Sequence, residues 1–315
     1  MNKASLIILP LVFFLNCSSN TKTFYDSNLK YYELEYWGLT GSVKLFGEKG
    51  FFRNENAKDI DLNNLALEED FRFSSKQDYS FNKEGLMTEQ NYYTSEEKLS
   101  WQLLNFYDNR SRLIENIVFE GDKTVRYFQE FIYDNVGNQT QEITYKKDST
   151  VQLRKIFTYN ELNQETEEKW TERKSGPQVH RIYEYNNEGR VKIMRYSDGQ
   201  NDLKLVYTYT QSGDPASIIT YKPDETISKK EIFEYQAGRL IEKINTNYKK
   251  GTKDVLQFNT KGLLSKIERF KSDDDEAYEL DKYLYEYDER GNWIQKATFK
   301  NGDLFHIAFR DIEYF

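Results

Sequence analysis

An all-β fold is predicted here, an antiparallel meander of about 18–20 strands made from tandem hairpins of about 26 residues. Three features of the sequence predict it. The first is spacing. An aromatic residue followed by a turn recurs at Phe81, Tyr107, Tyr133, Tyr159, Tyr185, Tyr209, Tyr235, Phe258 and Tyr287, and the first four intervals are 26 residues each. The second is turn chemistry. Asn or Asp follows most of these anchors, as in Asn82, Asp134, Asn186 and Asp288, and Gly usually stands fourth, as in Gly85, Gly137, Gly189 and Gly291. Asx side chains close turns, and Gly tolerates the positive φ where the chain reverses. The third is period two before each turn, as in Phe157 and Tyr159 or Tyr285 and Tyr287, the mark of a strand with one committed face. Composition agrees: 16% of residues are aromatic and only 4 are Pro, which suits pleated strands and excludes a disordered chain.

Residues 1–16 read as a signal peptide, with Lys3 ahead of an apolar run from Leu6 to Leu15 that is too short to span a bilayer. Cys17, the chain's one cysteine, follows at once. Phe14-Leu15-Asn16-Cys17 resembles the lipobox of bacterial lipoproteins, although Phe14, Leu15 and Asn16 stand where Leu and smaller residues are usual. The resemblance implies that Cys17 takes a lipid and becomes the new amino terminus. An ordinary secretory signal beside a stray cysteine is the plainer alternative. A single cysteine permits no intramolecular disulfide. Residues 17–30 then read as the lipidated cysteine and a solvated tether.

Residues 31–70 form an amino-terminal β cap segment, with strand-like alternation through Val43, Leu45 and Phe46 and a short helix expected over 62–69. The hairpin array runs from 71 to 300, and 301–315 reads as a capping strand. In the array, a second strand follows each turn and ends in an aromatic such as Phe119, Tyr145, Tyr221 or Phe270. A flat sheet of about eighteen strands is roughly 85 Å wide. Open sheets above about ten strands curl or split, so a curled or partly closed single sheet is expected, its aromatics on the concave side.

Tyr133-Asp134-Asn135-Val136-Gly137-Asn138 and Tyr287-Asp288-Glu289-Arg290-Gly291-Asn292 resemble YD repeats, the units of RHS-type bacterial surface and toxin proteins. The similarity covers residues 71–300, with a unit longer than is usual in that family. In that family such β-hairpins coil into spirals or shells; for this chain the resemblance implies a small surface lipoprotein carrying related repeats and not a cargo-enclosing toxin shell.

Chemistry is sparse. Two histidines, His180 and His306, lie in different repeats, which gives no nucleophile–base constellation and no zinc ligand set. The run Asp273 to Glu276 lacks the spacing of a calcium loop. The net charge of -8 disfavours nucleic acid as a partner. No cofactor and no catalytic residue is expected. The aromatic excess is the one candidate binding feature, with Tyr185, Tyr209, Tyr235, Tyr287 and Trp293 as contacts for a protein or glycan. The competing explanation is that these rings are the core of a thin sheet. The expectation is a non-enzymatic lipoprotein of the outer membrane or cell surface, joined to the lipid membrane through Cys17. A structural or immunity-type envelope lipoprotein is the alternative, and a hydrolase is less favoured. A transmembrane β-barrel is disfavoured, because Glu and Lys recur throughout the strands.

Overall fold

The computed structural model describes residues 37–315 except 56, 58–61, 63–64, 66–69, 173–178 and 272–273. The expected signal peptide, Cys17 and the tether lie outside the described residues, and of the helix expected over 62–69 only Leu62 and Leu65 fall within them. Twenty strands are described, from β1 (Val43–Arg53) to β20 (Asp303–Tyr314). Each pairs antiparallel with the next in chain order, so the meander and its repeat order stand as the spacing predicts.

The ends then meet. β20 pairs with β1 along its length, from Val43↔Tyr314 to Phe52↔His306, and the sheet is a closed barrel. This corrects the expectation of a curled or partly closed sheet. An open sheet leaves two rows of unpaired backbone groups, and closure removes both. Twenty strands at ordinary spacing and tilt make a barrel roughly 30–40 Å across.

The turns explain the repeat. In the Tyr133 unit, Gly137 N donates to Asp134 O at 3.2 Å, and Asp134 Oδ1 accepts from the amides of Val136, Gly137 and Asn138 at 2.8–3.0 Å. Gly137 has a φ of 104°. The register slips by one residue at every anchor, from Ser80/Phe81 to Glu286/Tyr287, which places a β-bulge in each hairpin. After Tyr235 the loop is shorter. Gln236 pairs with Arg239 across Ala237 and Gly238, both at positive φ, which is the two-residue primed hairpin and the reason that glycine arrives one position early. Ser111 and Asn163 occupy the glycine position at φ 60° and 58°. Asn163→Gly is therefore expected to stabilise the protein by about 0.5–1 kcal/mol, and Gly137→Ala to destabilise it by about 1–2 kcal/mol, both read from urea unfolding.

Register assigns the faces. Leu103, Val118 and Tyr127 share one row across β4 (Leu99–Tyr107), β5 (Leu113–Glu120) and β6 (Val125–Tyr133), and Leu104, Ile117 and Phe128 share the opposite one. The anchors' face holds the buried polar strand residues, including Asn116, Glu142, Lys155, Glu168 and Arg310, while Phe106, Ile132, Ile156, Ile182 and Leu284 are exposed on the other. The anchors therefore face inward. The aromatics that end the second strands mostly do not, a second correction. The bulge shifts the alternation by one residue, so Tyr145 stacks on outward Phe128 at 4.8 Å, and Lys204 and Lys253 cover outward Tyr221 and Phe270.

Packing is uneven around the barrel. Inside, Leu39, Val43, Phe46, Tyr79, Phe81, Met87, Leu103 and Val118 form one core cluster with Trp37 and Trp101 against it. Outside the closure, Phe71, Ala297, Leu304 and Ile307 are covered by Leu62 and Leu65. β12 (Asp202–Tyr209), β16 (Thr252–Phe258) and β17 (Leu264–Lys271) contain no fully buried residue on either face, while the strands across from the seam keep buried inward side chains such as Tyr183 and Val191. The barrel is packed most densely at its seam, and its inner wall is half-buried along β12, β16 and β17.

Candidate functional site: the inner wall of the barrel

The anchor tyrosines form a repeated latch. Tyr107 OH donates to Met87 O at 2.6 Å, Tyr133 to Leu113 O at 2.8 Å, Tyr159 to Gln139 O at 2.7 Å, Tyr185 to Glu165 O at 2.5 Å and Tyr209 to Val191 O at 2.6 Å. Each accepting residue pairs with the previous anchor and directly precedes that hairpin's bulged residue, where the ladder is interrupted. The hydroxyl supplies a donor there that Phe cannot, so Tyr133→Phe is expected to cost about 1 kcal/mol in urea unfolding.

The residues singled out from sequence sit on or beside this inner wall. Tyr185 and Tyr209 are held by their latches, and burial keeps both phenols neutral, with Tyr209 pushed up to about 12. Tyr235 takes the same place in the shorter hairpin. Tyr287 accepts from Asn259 Nδ2 at 3.1 Å and lies under Lys261 Nζ at 4.1 Å. Trp293 is buried, with the Arg310 guanidinium 3.6 Å from its ring centre. Tyr287 and Trp293 come together around Tyr285, each 6.2 Å from it, while the other three stand on separate strands.

Sequence reasoning missed an ionic belt deeper in the same wall. Lys155 meets Glu142 at 2.7 Å, Arg181 meets Glu168 at 2.5 Å, Lys243 meets Glu231 at 2.6 Å and Arg310 meets Glu48 at 2.9 Å. Trp170 lies between Lys155 and Arg181, at 4.7 and 5.1 Å, and its Nε1–H donates to Glu168. The signal was present. Counting back in twos from an anchor gives Tyr185, Tyr183, Arg181, and again Tyr287, Tyr285, Tyr283, Asp281, Glu279.

The two histidines lie on opposite faces. His180 meets Glu167 at 2.7 Å outside, and His306 stands inside, edge-on to Phe52 and across the backbone of Gly50. Among the described residues, no group of three or more His, Cys, Asp or Glu is placed to hold a metal ion. Burial first, then the charge of Lys296, lowers the His306 imidazole to about 4, against an ordinary value of 6.5. An imidazole depressed in the folded state contributes its full stability above pH 6.5 and loses it as pH falls toward 4. Between pH 7 and 5 the urea midpoint is expected to fall more steeply in the wild type than in His306→Gln.

No family model and no curated protein matches this chain. Among solved structures, it is similar to a porin-like protein from Bacteroides uniformis, at 10% identity and a TM-score of 0.38, over 86% of this chain and 96% of that one. It is also similar to a chain of the TcdB2–TccC3–Cdc42 complex, at 11% identity and a TM-score of 0.31, over 85% of this chain and 20% of that one. A third is the Tc holotoxin pore of Photorhabdus luminescens, at 10% identity and a TM-score of 0.31, over 84% and 19%. The chain thus spans about one-fifth of the toxin-complex chains it resembles. At this degree of overlap the likenesses say nothing of ligand, partner or location.

Proposed function

We propose that this chain is a non-enzymatic binding protein of the bacterial cell envelope, tethered by a lipid on Cys17, that holds a protein or glycan against the inner wall of its barrel. One observation carries the reading. The inner wall along β12, β16 and β17 is only half-buried, and it includes Tyr207, Tyr209, Asp254 and Arg269. Rings held in place suit stacking on a sugar or a partner's side chain at little entropic cost. Closure also supports the inner wall as the contact, because a barrel has no edge to which a ligand strand can add. Ion pairs such as Lys169–Glu167 and Arg195–Glu184 on the outer face are unlike a lipid-facing band, which supports a body standing outside the bilayer.

A glycan array beside a pull-down from envelope extract tests the reading. Capture is expected to weaken in Tyr207→Ala, on the inner face, and to persist in Val206→Ala, on the outer face of the same strand. Equal capture by both variants rejects the inner wall. Palmitate labelling is expected to vanish in Cys17→Ala, and its persistence rejects the anchor.

A further inference from the structure

The ionic belt sets one cation against one carboxylate at Lys155–Glu142, Arg181–Glu168, Lys243–Glu231 and Arg310–Glu48, but not around Arg269. Across β15 (Arg239–Asn247), β16, β17 and β18 (Glu279–Tyr287), the inner row runs Asn245↔Asp254↔Arg269↔Glu279, with Asp281 two residues beyond Glu279 on the same face. Three carboxylates surround one guanidinium. A single nitrogen, Arg269 Nη1, serves both Glu279 Oε1 at 2.8 Å and Asp281 Oδ2 at 2.9 Å. Of the neighbouring lysines, Lys243 is engaged with Glu231 at 2.6 Å and Lys300, opposite Asp281, lies over the ring of Phe305 at 4.1 Å, while the exposed Lys250 acts on Asp254 only through space. Burial pushes the Asp254 carboxyl upward, as expected for a charge that Arg269 compensates only in part.

A second observation points to a missing donor. Asp281 is 3% exposed; its Oδ2 is held by Arg269 and the Tyr283 phenol stands beside the carboxylate, but its Oδ1 is buried without a hydrogen-bond partner. The Oδ1 of Asn245 is buried in the same condition. Unsatisfied buried acceptors are costly, and a carboxylate oxygen more so than most. Asp254 and Asp281 stand two strands apart and two residues offset along them, roughly 12 Å at ordinary strand geometry, too far for one ammonium to serve both.

We propose that this part of the inner wall is a subsite for a ligand with two or more protonated amines, one donating to Asp281 and another to Asp254 and Asn245, on either side of Arg269. Amines on alternate residues of an extended chain lie about 7 Å apart, a spacing that fits the two positions once side-chain reach is added. The chemistry is met by a linear polyamine or by the lysines of an extended peptide. The inference rests on the inner-wall reading above and names the chemistry of one part of it.

Calorimetric titration of the full chain with spermine, and separately with an alternating lysine–alanine pentapeptide, tests it and separates the two sources. Binding of at least one probe is expected, weakened tenfold or more in Asp281→Asn and in Asp254→Asn. Glu268→Gln, on the outer face of β17, is expected to leave it unchanged. Absence of heat at millimolar probe overturns the proposal, as does equal weakening by Glu268→Gln, which marks general attraction to an acidic protein. Thermal melts of each variant confirm that the barrel is intact. If both probes fail while Tyr207→Ala still loses the captured partner, only the cation subsite falls. If the probes bind as expected but Tyr207→Ala captures as wild type does, only the broader reading falls.

Discussion

Gly121→Ala is expected to destabilise the barrel by about 3 kcal/mol or more. Gly121 lies in the turn between β5 and β6, and a Cβ there would stand 2.1 Å from the Leu99 carbonyl oxygen and 3.3 Å from that of Ser100. Both obstacles are backbone, so no rotamer change relieves them, and β4 has to move away from the turn. Gly47→Ala is the control. Its nearest obstacle is the Asp78 carboxylate at 3.0 Å, the free end of a side chain, and less than about 1 kcal/mol is expected. Urea unfolding of the two variants separates steric necessity from the general cost of losing glycine. Similar midpoints would refute the close backbone approach.

Arg310→Ala is expected to cost about 3–5 kcal/mol. The guanidinium is 7% exposed, lies between the rings of Phe46 (4.8 Å) and Trp293 (3.6 Å), and donates to Glu48 Oε2 at 2.9 Å and to Trp37 O at 3.0 Å. It thus ties together β20, β1, β19 (Trp293–Lys300) and the segment before β1. Its removal leaves a slot between two aromatics and a carboxylate without its cation, at the one seam that makes the sheet a barrel. The double variant Arg310→Met with Glu48→Gln is expected to recover more than half the loss, because the thioether refills the slot and the stranded charge is gone. Recovery of nothing would show that the hydrogen bond to Trp37 O dominates.

The two positions differ in how far the sequence discloses them. Gly121 belongs to no visible pattern. Ser95 and Lys147 stand at the matching place in neighbouring units, and only the approach of Leu99 makes glycine necessary. Arg310 looks like one charged residue among many in a terminal strand until β1 is brought beside it. The ionic belt is intermediate. Its inward face can be counted from the anchor tyrosines, but Arg181 with Glu168 and Arg269 with Asp281 pair across strands, and the bulges set which residue meets which. The same bulges turned Tyr145 and Tyr221 outward against expectation, since a slip of one residue exchanges the faces. The latching role of Tyr185 and Tyr209 was likewise hidden, because their acceptors are carbonyls 18 to 20 residues upstream.

The amino-acid order by itself determined the hairpins, their turns, the order in which they pair and the inward face of each anchor. All of these rest on contacts made within one repeat, where Asx side chains, positive-φ positions and strand alternation act locally. Tertiary structure alone decided that the sheet closes, that packing is densest at the seam, and that three carboxylates surround Arg269. Those outcomes depend on twist and tilt accumulated over twenty strands, which bring Glu48 to Arg310 across 262 residues of chain.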